Sequence, residues 1–102
     1  MSAYLVVEIE VTDPVAYEEY RNQAKAALAT LGGGGKIIIR GGRDGTCHTE
    51  SVEGDWMPHR FVVVEFPDMA TAKSFYFSET YQEVLKMRFA SSKSKALFVE
   101  GE

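Results

Sequence analysis

The sequence predicts an α+β domain: a four-stranded antiparallel sheet with its helices packed on one face. Three observations carry this prediction. Segments with strand alternation and segments with helical spacing follow one another in the order strand, helix, strand, strand, helix, strand. The chain has 102 residues, the size of one domain spanning residues 1–102. Its composition, 45% apolar and 25% charged, can build a core and is too apolar for a disordered chain.

The first strand is residues 4–11, where Leu5, Val7, Ile9 and Val11 alternate with Tyr4, Val6, Glu8 and Glu10. Asp13 is a good N-cap and Pro14 suits the first helical position, so a helix starts there. Its apolar stripe is Tyr17, Tyr20, Ala24, Ala27, Leu28 and Leu31, and Gly32 to Gly35 end it. Lys36 to Gly41, rich in isoleucine, is the second strand. Residues 42–57 are a long connection, read with a hairpin through Gly42 to Gly45 and a short strand at Thr49 to Glu53. His59 to Phe66 is the third strand. Pro67-Asp68 caps a helix with inner face Met69, Ala72, Phe75 and Tyr76. Phe77 to Thr80 breaks it, with Ser78 as a new N-cap before Tyr81, Val84, Leu85, Arg88 and Phe89. Lys95 to Glu100 is the last strand.

This order is the split βαβ arrangement of a ferredoxin-like βαββαβ sandwich, with strands one and three central and both helical layers on one face by right-handed crossover. The helices are expected to cover Leu5, Val7, Ile9, Ile37, Ile39, Val62, Val64, Leu97 and Val99. The open face then carries Tyr4, Val6, Glu8, Ile38, Phe61, Val63, Glu65, Ala96 and Phe98, too apolar to leave wet and too charged for a sealed core. A homodimer that packs two such faces into a barrel resolves both problems. Eleven Lys and Arg against fifteen Asp and Glu, a net charge of -4, argue against a nucleic-acid backbone binder. No apolar run approaches the roughly 20 residues of a membrane span. The start of the chain lacks a basic leader and the single cysteine, Cys47, cannot form an internal disulfide, so a cytoplasmic setting is expected.

Several short motifs occur together: A-Y at Ala3-Tyr4, V-T-D-P at Val11 to Pro14, Y-x-E-Y at Tyr17 to Tyr20 and R-G-G at Arg40 to Gly42. To these are added E-G-D-W at Glu53 to Trp56, E-F-P at Glu65 to Pro67 and F-Y-x-S-x-x-Y at Phe75 to Tyr81. In this set the chain resembles the uncharacterised domain-of-unknown-function family thirteen-thirty of the dimeric α+β-barrel superfamily. The resemblance covers nearly the whole chain and implies a ferredoxin-like fold and a barrel-forming dimer, but no established reaction. Wider relatives include cofactor-independent monooxygenases, muconolactone-type isomerases and haem-dependent peroxidases, an analogy at the level of fold. The stretch Arg43 to Glu50 looks longer than the family's usual connection.

Two constellations could carry chemistry. Tyr17, Tyr20, Tyr76, Ser78, Tyr81 and Arg88 could line a cleft and hold an oxygen-bearing ligand; the bland alternative is core tyrosines with Ser78 merely a cap. Glu8, Arg40, His59 and Glu65 fall on the open face, where Glu65 or His59 could act as a base or could form interface salt bridges. Trp56 and Arg60 flank the third strand and could close a pocket by stacking and carboxylate recognition, or anchor packing. Cys47-His48 is a weak metal signal without a second ligand pair, and no metal is expected. The glycine run before Lys36 is no phosphate loop, since it closes a helix and Ile37 stands where Ser or Thr is needed. Lys86, Arg88, Lys93 and Lys95 read as a solvated helix end.

Two functions from different classes follow. One is an enzyme or binding protein for a small oxygenated organic molecule, using cofactor-independent acid–base chemistry of the isomerase or monooxygenase kind. The other is a non-enzymatic dimeric ligand-binding or interaction module.

Overall fold

The computed structural model describes residues 1–102. It contains β1 (Ala3–Val11), α1 (Pro14–Leu31), β2 (Lys36–Gly41), β3 (Arg60–Phe66), α2 (Met69–Tyr76), α3 (Glu79–Ser91) and β4 (Ser92–Glu100). The sheet order is β2-β3-β1-β4 and every pairing is antiparallel, so the expected ferredoxin-like sandwich is the observed one. No helix is long and apolar enough to cross a membrane.

The helix signals act as read. Asp13 is extended and accepts the Ala16 N–H at 3.2 Å, with Pro14 opening the helix. After Leu31, Gly33 and Gly34 take positive φ of 59° and 95°, which a side chain would resist. Asp68 caps α2 through the Thr71 N–H at 2.7 Å. Ser78 splits the second helical stretch in two: its hydroxyl donates to the Phe75 carbonyl at 2.7 Å and accepts the Tyr81 N–H at 3.1 Å. The core lies between the sheet and the helices. Leu5, Val7, Ile9, Val64 and Phe66 meet Tyr17, Tyr20, Ala72, Phe75, Tyr81, Val84 and Leu85.

Three expectations are corrected. First, β4 starts at Ser92, immediately after α3, and its faces are the reverse of those read. Leu5 pairs with Phe98 and Val7 with Ala96, so Ala96 and Phe98 take the helix side while Leu97 and Val99 point to the open face. Phe98 there meets the Tyr76 ring edge-on at 5.4 Å. Second, the β2 pairing skips Ile38: Ile37 opposes Val64 but Ile39 opposes Val63. This bulge moves Ile39 to the open face and turns Arg40, opposite Val62, to the helix side. Third, residues 42–59 contain neither the hairpin nor the strand at 49–53. They form a loop tied back by Arg43 N–H to the Pro58 carbonyl and Asp44 N–H to the His59 carbonyl, both at 2.8 Å.

The open face carries Tyr4, Val6, Glu8, Ile39, Phe61, Val63, Glu65, Leu97 and Val99. Two of its carboxylates, Glu8 and Glu65, are paired within the chain. Glu65 accepts the Tyr4 hydroxyl at 3.2 Å and lies 3.7 Å from Lys36, and Glu8 lies 3.6 Å from Lys95.

Candidate functional site

α1 packs chiefly on α3 and stands off the sheet. Between α1 and the helix-facing side of β1, β2 and β3 lies a cleft of about 470 Å³, a volume within the range of small-molecule sites. Its floor is apolar, from Leu5, Val7, Ile9, Ile37, Val62 and Val64. Tyr17, Tyr20, Arg21, Ala24 and Lys25 of α1 form a wall. The deep side is Phe75, Tyr81 and Arg88, all buried. Arg40, Asp44 and Arg60 stand at the rim.

The polar geometry is specific. The Tyr20 and Tyr81 hydroxyls are 2.7 Å apart and buried. Arg60 lies 5.1 Å from the Tyr17 ring centre and Arg88 5.8 Å from that of Tyr20, both stacked as cations on aromatic faces. Arg88 is held at the end of α3 by its own carbonyl, which accepts the Ser92 hydroxyl at 2.6 Å. The β2 bulge brings Arg40 to the rim, and Cys47 brackets the Arg40 backbone: its N–H donates to the Arg40 carbonyl at 2.8 Å and its thiol sulfur accepts the Arg40 N–H at 3.4 Å. Gly42, with φ 97°, turns the chain out of β2; a Cβ there would sit 2.7 Å from the His59 carbonyl oxygen.

Burial, reinforced by the neighbouring Tyr20 phenol, raises the Tyr81 phenol above its ordinary value of 10.0. Burial raises Tyr17 in the same direction, with Tyr20 adding to it and Arg60, Arg21 and Arg88 opposing. Both are therefore neutral hydrogen-bonding groups at physiological pH. In the unfolded chain tyrosines ionise near the ordinary value, so above about pH 10 the folded state holds more protons and stability falls as pH rises. Tyr81→Phe is expected to blunt that fall. Urea unfolding at about pH 8 and about pH 10.5 checks it; an identical pH dependence in the variant contradicts it.

Of the two constellations, Tyr17, Tyr20, Tyr81 and Arg88 of the first and Arg40 of the second line this cleft. The others do not join them. Glu65 is on the opposite face of the sheet with Lys36 and Tyr4. His59 sits beyond the rim, its Nδ1 3.4 Å from Asp44. Tyr76 packs on Phe77, Tyr81 and Phe98, and Ser78 is a helix cap. Trp56 is exposed against Phe61, away from the cleft. Arg88 is 2% exposed, which corrects its reading as part of a solvated helix end. Arg60, at the rim, stacks on the Tyr17 ring. Arg21, Lys25 and Asp44 were not singled out from the sequence; Arg21 and Lys25 follow Tyr17 at intervals of four on the cleft face of α1, and that spacing was the available signal.

Comparison with known proteins agrees with the fold. The chain is 16% identical to RPA0582, a protein of unknown function from Rhodopseudomonas palustris, with a TM-score of 0.72 over 99% of this chain and 82% of that one. It is 19% identical to a dimeric ferredoxin-like protein of unknown function from Jannaschia sp. CCS1, with a TM-score of 0.67 over 99% and 100%. It is 12% identical to SnoaB, a cofactor-independent oxygenase from Streptomyces nogalater, with a TM-score of 0.65 over 99% and 93%. No curated protein matches the chain. The model of a domain of unknown function, DUF1330, matches residues 2–102, and the chain belongs to that family.

Proposed function

We propose that the cleft between α1 and the sheet binds a small oxygenated organic molecule, and that the protein works as a homodimer closed through the open sheet faces. The observation that carries the first part is the buried Tyr20–Tyr81 hydroxyl pair on the wall of an apolar-floored cleft. A phenol O–H of this pair can donate to a ligand oxygen and stabilise negative charge developing on it, as on an enolate. The dimer is supported by the exposed Ile39, Leu97 and Val99 around Val63, on a face where Glu8 and Glu65 are already paired. Burying such side chains contributes roughly 1.5–3 kcal/mol each when complete. A free Cys47 thiol fits a cytoplasmic setting.

Cofactor-independent acid–base chemistry on an acidic C–H bond is the reaction class we favour, in line with the oxygenase SnoaB among the structural neighbours. Glu65 and His59 were the expected bases. The carboxylate nearest to that task in the cleft is Asp44 at its rim, with His59 Nδ1 3.4 Å behind it to orient it. One observation favours the second reading, a module that holds its ligand without transforming it: the deep side of the cleft contains no carboxylate and no imidazole.

A thermal-shift screen of small phenols, ketones, hydroxy acids and carboxylic acids tests the cleft. At least one class should raise the melting temperature of the wild type and of Glu65→Gln, which lies on the other face. Ala24→Phe fills the cleft from α1 and should lose the shift. No shift in the wild type, or an undiminished one in Ala24→Phe, overturns the proposal.

A further inference from the structure

We propose that the molecule bound in this cleft is an organic carboxylate, and that Arg88 with the Tyr20–Tyr81 hydroxyl pair receives its carboxylate group. This deepens the preceding reading and rests on it.

The argument starts from a missing partner. Arg88 is 2% exposed, yet no carboxylate of the chain lies within 4.0 Å of it, and its Nε is buried without a hydrogen bond. A guanidinium cannot shed its charge by deprotonation, so a buried one without an anion is unfavourable unless something completes it. The Nε of Arg60, at the rim of the same cleft, is also buried and unpartnered.

The charge around the cleft points the same way. The cations on its lining are Arg21, Lys25, Arg40, Arg60 and Arg88, and the anions are Glu18 and Asp44. Glu18 is taken by Arg21 at 3.1 Å, and Asp44 faces His59. Lys25, Arg40, Arg60 and Arg88 remain without a carboxylate partner. A chain of net charge -4 thus gathers four unpaired cations around one cleft. That arrangement attracts an anion and raises its local concentration.

Hydrogen-bond accounting supplies the second donor. Tyr20 and Tyr81 have two hydroxyl protons between them, and the bond joining the two oxygens uses one. The other has no acceptor in the chain. A ligand oxygen near Arg88 can therefore accept the guanidinium fork and a phenol O–H together, a pattern suited to one planar carboxylate. The apolar floor of Leu5, Val7, Val62 and Val64 suits a carbon skeleton and leaves an inorganic anion half unsolvated.

The test is calorimetry with matched pairs: benzoate and benzamide, 2-naphthoate and 2-naphthamide, cyclohexanecarboxylate and its amide, with inorganic phosphate alongside. At least one carboxylate should bind the wild type about tenfold or more tighter than its amide, as expected for a charge-assisted pair. Arg88→Met should weaken that carboxylate roughly 10- to 100-fold and leave the amide unchanged. The melting temperature of ligand-free Arg88→Met should stay level or rise, because a buried uncompensated charge has been removed. Tyr81→Phe keeps the test valid if Arg88→Met does not fold, since it should weaken the carboxylate several-fold through loss of the free hydroxyl. Equal binding of acid and amide, or binding indifferent to both variants, overturns the carboxylate while leaving the cleft proposal standing. Phosphate binding as tightly as any organic acid overturns it in favour of a phosphoryl ligand. If no member of the series binds, the carboxylate proposal fails, and the thermal-shift screen decides the cleft proposal on its own.

Discussion

Phe66→Ala is expected to lower stability by about 3–5 kcal/mol, the range for removing a large aromatic from a packed core. Phe66 has no exposed surface, stacks 5.8 Å from Phe75, and closes so tightly on the α1–β2 turn that a Cβ on Gly35 would sit 2.5 Å from its ring. The side chain joins the central strand β3 to α2 and to the glycine turn at once, and its removal leaves a void that none of the three can fill without moving the others. Against a typical domain stability of about 5–15 kcal/mol, the variant would retain little margin. Urea denaturation should show a lower midpoint with an unchanged slope. A loss under about 1 kcal/mol would mean that the sheet and helices relax around the void.

Leu97→Asp is expected to dissociate the proposed homodimer while leaving the protomer folded. Leu97 is 57% exposed on the open face of the isolated chain, so a charge there has access to water in a monomer. In a two-fold dimer built on that face the same change occurs twice and buries two carboxylates against Val6, the residue opposite Leu97, and its surroundings. The dissociation constant should rise roughly 100-fold or more. Light scattering at micromolar concentration should report the wild type as a dimer and the variant as a monomer with an unchanged circular dichroism spectrum. A variant that remains dimeric places the interface elsewhere; one that unfolds shows that Leu97 belongs to the protomer's own core.

The two variants mark the line between what sequence patterns reveal and what they do not. On β1, apolar and polar residues differ between the two parities, and the dry face was legible at once. On β4, Ala96 and Phe98 alternate with Leu97 and Val99, so both parities are apolar and periodicity assigns no inward side. The direct passage from α3 into β4 and the rings of Tyr76 and Phe77 that cover Phe98 decide it. The run Ile37-Ile38-Ile39 likewise carries no phase, so a bulge within it leaves no trace in the pattern. Arg40 could be assigned to a face only once β3 was in place beside it.

The candidate site divides along the same line. Arg88 was legible as part of a helical stripe, at intervals of seven from Tyr81, four from Val84 and three from Leu85, and was also legible as one of several basic residues at a helix end. Spacing alone does not say whether a charge on an apolar stripe is buried. Sequence by itself determined the order of the elements, the caps Asp13, Asp68 and Ser78, the glycine stop after α1 and the presence of a surplus apolar face, because each depends on neighbours within a few residues. Only the tertiary structure decided that α1 stands off the sheet, that Tyr20 and Tyr81 meet across 61 residues of chain, and that Glu65 and His59 lie away from them. Those outcomes depend on strand register and on how large side chains share one core, which are properties of the assembled fold rather than of any segment.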